Sequence, residues 1–466
     1  MLEAPVTATL LHMTWPVSIG MLSTFLFQVV DTYFVGQLGP EALAALGFAS
    51  TAYFLLVGLF IGMAVGTSAL VARALGERKP LLAARYTRVA LMVALLVASA
   101  LSALGTVTLQ PAFLALDAEP ALLPLIEDYL GVLYLGMPLL VFGIVGGSAL
   151  RASGHVKAPE AVMAVAGVIN LVLDYVLIFG HAGFPALGLQ GAAVATVVSW
   201  VFVFGCMAVL LLRAGLLTMR PPLGATSLTD VVGEIGALSG PAVATQLLVP
   251  LTMTFTTFLV ARSGTAAVAA FGLAGRIEML ALVGINAAAV AIVPFVAQNH
   301  GAGKRDRVDL AVVFAGKLSV YWGLGACALL VALSEPIVGA FTDDPQVIAH
   351  ATSYFRLLGL SYPALGLITV TASVFNGLQQ PTTALRVLAI KTFALTFPMA
   401  LTGAALFGLP GVFIGSAFST VLGAVLAGRT VHRVLAQPGT VLSTRSPLQD
   451  YAVDGRSARN WLGGLP

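Results

Sequence analysis

The chain has 466 residues, of which 59% are hydrophobic and only 9% are charged, and its formal net charge is +3. A soluble protein carries roughly 25% charged residues, so this chain cannot cover itself in water, and so small a net charge argues against a nucleic-acid partner. Apolar runs of roughly 18 or more residues recur along its length, which indicates an all-α polytopic membrane protein and not a β-barrel, whose strands would alternate polar and apolar residues.

In chain order, a short amphipathic start (residues 1–12) leads into a first span that reads as retained, not as a cleaved signal peptide. The first six spans are predicted near 13–36, 46–72, 89–113, 128–150, 159–180 and 188–212. The stretch "RAGLLTMRPPLGATSLTDVVGE" opens the longest polar, proline-containing break, so residues 213–235 are expected to be a cytoplasmic linker between lobes 1–212 and 236–436. Six further spans follow near 238–261, 270–298, 311–336, 351–376, 384–406 and 410–435. Residues 437–466 are polar and are expected to form a disordered cytoplasmic tail. Cys206 and Cys327 both lie in apolar segments, which argues against a disulfide framework.

Basic residues orient the chain. Arg73, Arg78, Lys79, Arg85 and Arg88 cluster after the second span, and Lys304, Arg305 and Arg307 after the eighth. Arg151, Lys157, Arg213 and Arg220 share that side, whereas Glu41, Asp117, Glu119, Glu335, Asp343 and Asp344 lie on the other. The positive-inside rule then places both termini in the cytoplasm.

The two halves repeat each other. "LGPEALAALGFA" (38–49) matches "SGTAAVAAFGLA" (263–274) at an offset of 225, which also pairs Pro16 with Pro241, Lys79 with Lys304, Tyr129 with Tyr354 and Pro138 with Pro363. Later the offset is 220, pairing "GLQGAAVATVVS" (188–199) with "GLPGVFIGSAFS" (408–419). Each repeat holds an even number of spans, so both enter the membrane alike and are expected to be related by a pseudo-twofold axis along the membrane normal. Parallel repeats of this kind can rock around a midplane cavity, the geometry of alternating access.

Polar residues break the repeat. Asp31 stands in "QVVDTYFVGQLG", where a carboxylate at the bilayer centre costs about 2.5–3.5 kcal/mol; its repeat mate is Thr256. Asp174 stands in "NLVLDYVLIF", four residues after Asn170 and on the same helix face, and falls opposite Ala394, Leu395 or Thr396. Two acids confined to one lobe are best explained as neighbours that cannot both ionise easily, so that the pair holds a proton near neutral pH. Alternatively, with Asn170 and Thr196 supplying neutral oxygens, the same group could hold Na⁺. Pro16 lies on the first span with Asp31 and permits a kink there. In "GRIEMLALVG", Arg276 and Glu278 are two residues apart and face apart, so each needs its own partner; a structural ion pair and a substrate or coupling role are both open. The six histidines lie near span ends or in loops and are not spaced as metal ligands, which argues against an enzyme.

"VVDTYFVGQLGPEALAALG", "VARALGERK", "VAQNHGAGK" and "GAAVATVVS" resemble the multidrug and toxic compound extrusion (MATE) family over about residues 10–435. The resemblance implies twelve helices in two six-helix lobes and export of lipophilic organic cations against entering H⁺ or Na⁺. In the DinF-like branch, which the sequence most resembles, the first-lobe cation site falls on Asp31, Asn170, Asp174 and Thr196, the bending proline on Pro16, and the motif on the eighth helix on Arg276 to Glu278. The second-lobe acids of the NorM-like branch are absent from "ATQLLVPLTMTF" and "LGLITVTASVFNG". The expectation is therefore a monomeric inner-membrane antiporter without a cofactor, coupled to H⁺ with Na⁺ as the alternative, whose partners are lipophilic cations and the bilayer. A related lipid or lipid-linked saccharide flippase is the runner-up. Its cavity would need arginines for phosphate, and apart from Arg276, Lys317 and Lys391 the spans are nearly free of basic residues.

Overall fold

Backbone groups in a bilayer core have no water to bond, so an apolar chain must satisfy them within helices. The structure, a computed structural model describing residues 1–115, 120–218 and 227–436, is accordingly almost wholly helical. Its first half holds α1 (Val6–Gly36), α2 (Pro40–Gly76), α3 (Pro80–Ala115), α4 (Leu123–Ala152), α5 (Lys157–Phe179) and α6 (Leu189–Arg213). Its second half holds α7 (Leu228–Ala261), α8 (Thr265–Ala281), α9 (Val283–Gly301), α10 (Arg305–Gly339), α11 (Pro345–Leu358), α12 (Tyr362–Gly377), α13 (Pro381–Ala389) and α14 (Phe397–Ala436), with a π-helical segment, Ile390–Thr396, joining α13 to α14. Proline opens α2, α11 and α13, where its missing N–H has no intrahelical partner to lose. Asp117, Glu119 and Arg220, used above for orientation, and the 437–466 tail lie outside the described residues.

Eleven helical segments are long and apolar enough to cross a membrane among the described residues. Two differ from the sequence reading. The eighth span is broken at Leu282 (φ −93°, ψ 9°) into α8 and α9, so α9 is counted alone. The last two spans run together over Pro381–Ala436, and Gly408 (φ 61°, ψ −139°) breaks them within α14. Dividing that ribbon at Gly408 restores twelve spans.

The chain forms two compact units. One is Pro16–Val243; the other is Met1–Trp15 together with the chain from Ala244 onward. Their borders fall inside α1 and α7, close to Pro16 and its repeat mate Pro241, and not in the polar stretch 213–235. In the first unit α4 packs against α2, α3 and α6, burying Phe60, Ile126, Leu130, Leu133, Met137 and Leu150 almost completely. In the second, Phe295, Phe355, Phe375, Phe413 and Tyr362 are the largest fully buried side chains. Large apolar residues such as Val107 and Leu135, 80% and 84% exposed, show why the fold requires lipid around it.

The repeat is written in the backbone. Four pairs of positions share left-handed φ values: Gly39 and Gly264 (115° and 99°), Arg78 and Gly303 (58° and 71°), Gly154 and Gln379 (95° and 61°), and Gly188 and Gly408 (56° and 61°). The first three pairs stand at the 225 offset and the last at 220. The hydrogen bonds follow: Lys79 N donates to Ala74 O at 2.8 Å, and Lys304 N to Asn299 O at 2.9 Å.

Candidate cation-coupling site

The first unit gathers four sequence-predicted residues from three helices. Asn170 and Asp174 are one helical turn apart on α5, and the Asn170 amide Nδ2 donates to Asp174 Oδ1 at 3.4 Å. The same amide donates to Thr196 Oγ1 on α6 at 3.3 Å. A tight connection sets this register: Leu187 N donates to Leu177 O at 2.9 Å, so α6 starts directly beside the end of α5. Asp174 is 1% exposed. Asp31, on α1, has a buried carboxylate oxygen, Oδ1, without a hydrogen-bond partner among the described residues. The ring of Phe34, three residues after Asp31, lies 6.1 Å from that of Tyr175, the neighbour of Asp174, so α1 packs on α5 with the two acids within electrostatic reach of each other.

Two residues at this site had not been singled out for it. Tyr53 on α2 and Tyr129 on α4 both lie within electrostatic reach of Asp31, and Tyr129 of Asp174 as well. Tyr53 stacks on Trp200 with ring centroids 6.2 Å apart and planes 6° from parallel. The available signal was the repeat, which pairs Tyr129 with Tyr354; neither tyrosine carries a formal charge to draw attention in a span.

This arrangement can hold and release a small cation. Two carboxylates in low dielectric repel as anions, and one proton between them removes the repulsion. The Asn170 amide group lies between Asp174 and Thr196 and can donate its N–H to a carboxylate or offer its carbonyl oxygen to a cation.

Pro16 lies ten residues inside α1, not at its start, so its missing N–H removes a bond from the helix interior. In the second unit, Arg276 and Glu278 have separate environments. Arg276 is exposed. Glu278 Oε2 accepts from Tyr354 Oη at 2.6 Å and Tyr362 Oη at 3.0 Å. No ion pair joins Glu278 to Arg276 among the described residues.

A membrane-spanning, two-unit helical fold with a buried acid pair in one repeat defines a membrane transporter. The MatE family profile matches residues 16–176 and 241–402, and the chain belongs to that family of transporters, which are not enzymes. A Shewanella oneidensis FAD transporter is 32% identical over 91% of this chain and 93% of its own. A probable multidrug resistance protein NorM from Thermotoga maritima is 25% identical over 84% of each chain. Among solved structures, the Vibrio cholerae MATE transporter VcmN in its bent form is similar at TM-score 0.87 and 27% identity, covering 92% of this chain and 97% of that one.

Proposed function

We propose that the chain is a proton-coupled antiporter that exports lipophilic organic cations across the inner membrane, with both termini cytoplasmic. Asp31 and Asp174 carry the coupling proton, and Asn170 and Thr196 position Asp174. The observation that supports this most directly is the buried, unpartnered Asp31 oxygen sharing a site with a fully buried second acid, an arrangement whose stability changes with one proton. The two units act as the alternating lobes, and Pro16 gives α1 the freedom to bend when the acids load. Entering protons bind at the acids from outside and leave inside, and the same cycle carries cargo outward.

The test is substrate efflux from proteoliposomes carrying a pH gradient, with and without Na⁺. Efflux should follow the pH gradient in Na⁺-free buffer. Efflux that ignores it and follows Na⁺ alone would make Asp31 a permanently ionised ligand and overturn the reading.

A second reading of the cargo is a flavin dinucleotide, favoured by the 32% identity to a protein named for FAD transport, above the 25% to the multidrug relative. Secreted flavin and dye efflux, measured in the same cells, separate the two.

A further inference from the structure

The second unit has its own polar cluster. Glu278 lies on α8, and its oxygen is held by the hydroxyls of Tyr354 on α11 and Tyr362 at the start of α12. Lys391, in the π-helical segment, is the opposite charge that acts on Glu278. The lysine stem runs inward between helices. A Cβ added at Gly423 on α14 would stand 2.7 Å from Lys391 Cγ and 3.1 Å from Ile368 Cδ1 on α12. The repeat mate of Gly423 is Val203.

Two positions in this cluster correspond to the coupling site of the other repeat, and a third falls on the same stretch of its fifth helix. At offset 225, Glu278 stands where Tyr53 does and Tyr354 where Tyr129 does; at offsets of 220 to 222, Lys391 falls opposite Leu171, Asn170 or Ile169. Each repeat thus places a polar cluster at one location, acidic in the first and carrying one acid and one ammonium in the second.

The ammonium is the unusual member. Among the described residues, no hydrogen bond or ion pair reaches Lys391 Nζ, and Glu278 stays beyond ion-pair distance. Glu278 Oε2 already has two donors, neither of them the lysine. A charged group inside a bilayer with no direct partner is costly, and such groups mark substrate pathways. π-helical turns likewise concentrate at functional sites, where they turn a side chain away from the regular helical register.

We propose that Lys391 is an anion-recognising subsite, which receives a phosphate carried by the cargo. This rests on the second unit forming part of the cargo path. It extends the export function to amphiphiles that pair an apolar ring system with a phosphate, in addition to lipophilic cations.

The experiment is equilibrium binding of riboflavin and of its monophosphate to the full chain in phosphatidylcholine nanodiscs, read by flavin fluorescence. The two probes share a ring and differ by the phosphate. The parent should bind the phosphorylated probe about tenfold or more tightly, as expected for a charge-assisted hydrogen bond in low dielectric. Lys391→Met should lose this preference while still binding riboflavin, and Lys391→Arg should keep it. Equal affinities in the parent, or a preference that survives Lys391→Met, would overturn the proposal. If Lys391→Met does not fold, Gly423→Ala serves instead, because it pushes the stem aside and leaves the charge; weaker binding of the phosphorylated probe supports the subsite, and unchanged binding refutes it. Adding phosphatidylglycerol to the nanodiscs should leave the preference intact. A preference abolished by that lipid would assign the lysine to a headgroup phosphate and overturn the cargo assignment. Asp31→Asn should keep the ratio of affinities even as it removes coupled transport, so failure of the coupling assignment and failure of the subsite give different results.

Discussion

The two repeats agree in their turns and differ in their charges. Four pairs of left-handed positions recur at the repeat offsets, down to the matched backbone hydrogen bonds of Lys79 and Lys304. The buried acids do not recur: Asp31 faces Thr256 across the repeat, and Asp174 faces only Ala394, Leu395 or Thr396. Backbone geometry in lipid is constrained by hydrogen bonding in both halves alike, whereas an intramembrane charge is retained only where it has a task. The common part of the repeats is therefore architecture, and the unshared part is where function should be sought.

The largest expected effect tests that division directly. Asp31→Asn or Asp174→Asn should abolish export with expression unchanged, while Thr256→Val, at the mate position, should leave efflux near the parent level. Thr256 Oγ1 only donates back to Thr252 O at 2.9 Å within its own helix. Equal losses at Asp31 and Thr256 would dissolve the distinction between the repeats.

A smaller effect separates the two tyrosine mates. Tyr354→Phe removes one of the two donors to Glu278 and should cost about 2–3 kcal/mol, read as a lower thermal midpoint in detergent. Tyr129→Phe, with no hydrogen bond to Asp31 or Asp174 to lose, should cost less. Smaller again is Gly408→Ala, which adds a Cβ with nothing within 4 Å of it, so the cost is purely conformational, about 1–2 kcal/mol. Gly188→Ala should cost nearly the same, because its mate geometry is φ 56°, ψ −133°. A marked inequality would mean the paired turns are not energetically equivalent. The smallest effect is Arg78→Gly. Arg78 holds φ 58° where its mate is Gly303, and the relief of that strain, offset by glycine's greater freedom when unfolded, should raise the midpoint by on the order of 1 °C.

Much of this was legible in the sequence because lipid leaves few options. Long apolar runs must become helices, and the repeat offset located Gly188 and Gly408 as equivalent before either turn was seen. The break at Leu282 was not legible: Gly284 is the only weak helix former beside it, and the break is held from α10, where Trp322 Nε1 donates to Ala281 O at 2.8 Å and its ring fills the space beside Gly284. Asp31 and Asp174 stand out by charge in an apolar chain and Asn170 by its spacing from Asp174, whereas Thr196 was assigned through the family resemblance. Tyr53, Tyr362 and Lys391 could not be placed, since their roles depend on helices far apart in sequence. Neither could the partners of Glu278, which come from residues 76 and 84 positions away.

The borders of the two compact units, within α1 and α7, bear on how the chain is made. Residues 16–243 can assemble as soon as they have left the ribosome. The first fifteen residues cannot, because their unit begins again only at Ala244. Their anchors come later still: Lys304 Nζ donates to Leu2 O at 2.9 Å, and Arg307 Nη2 to Met1 O at 2.9 Å and Ala4 O at 2.6 Å. These fifteen residues thus complete their packing only after some 300 further residues have followed them, and until then the main-chain carbonyls they present to Lys304 and Arg307 have no such donors.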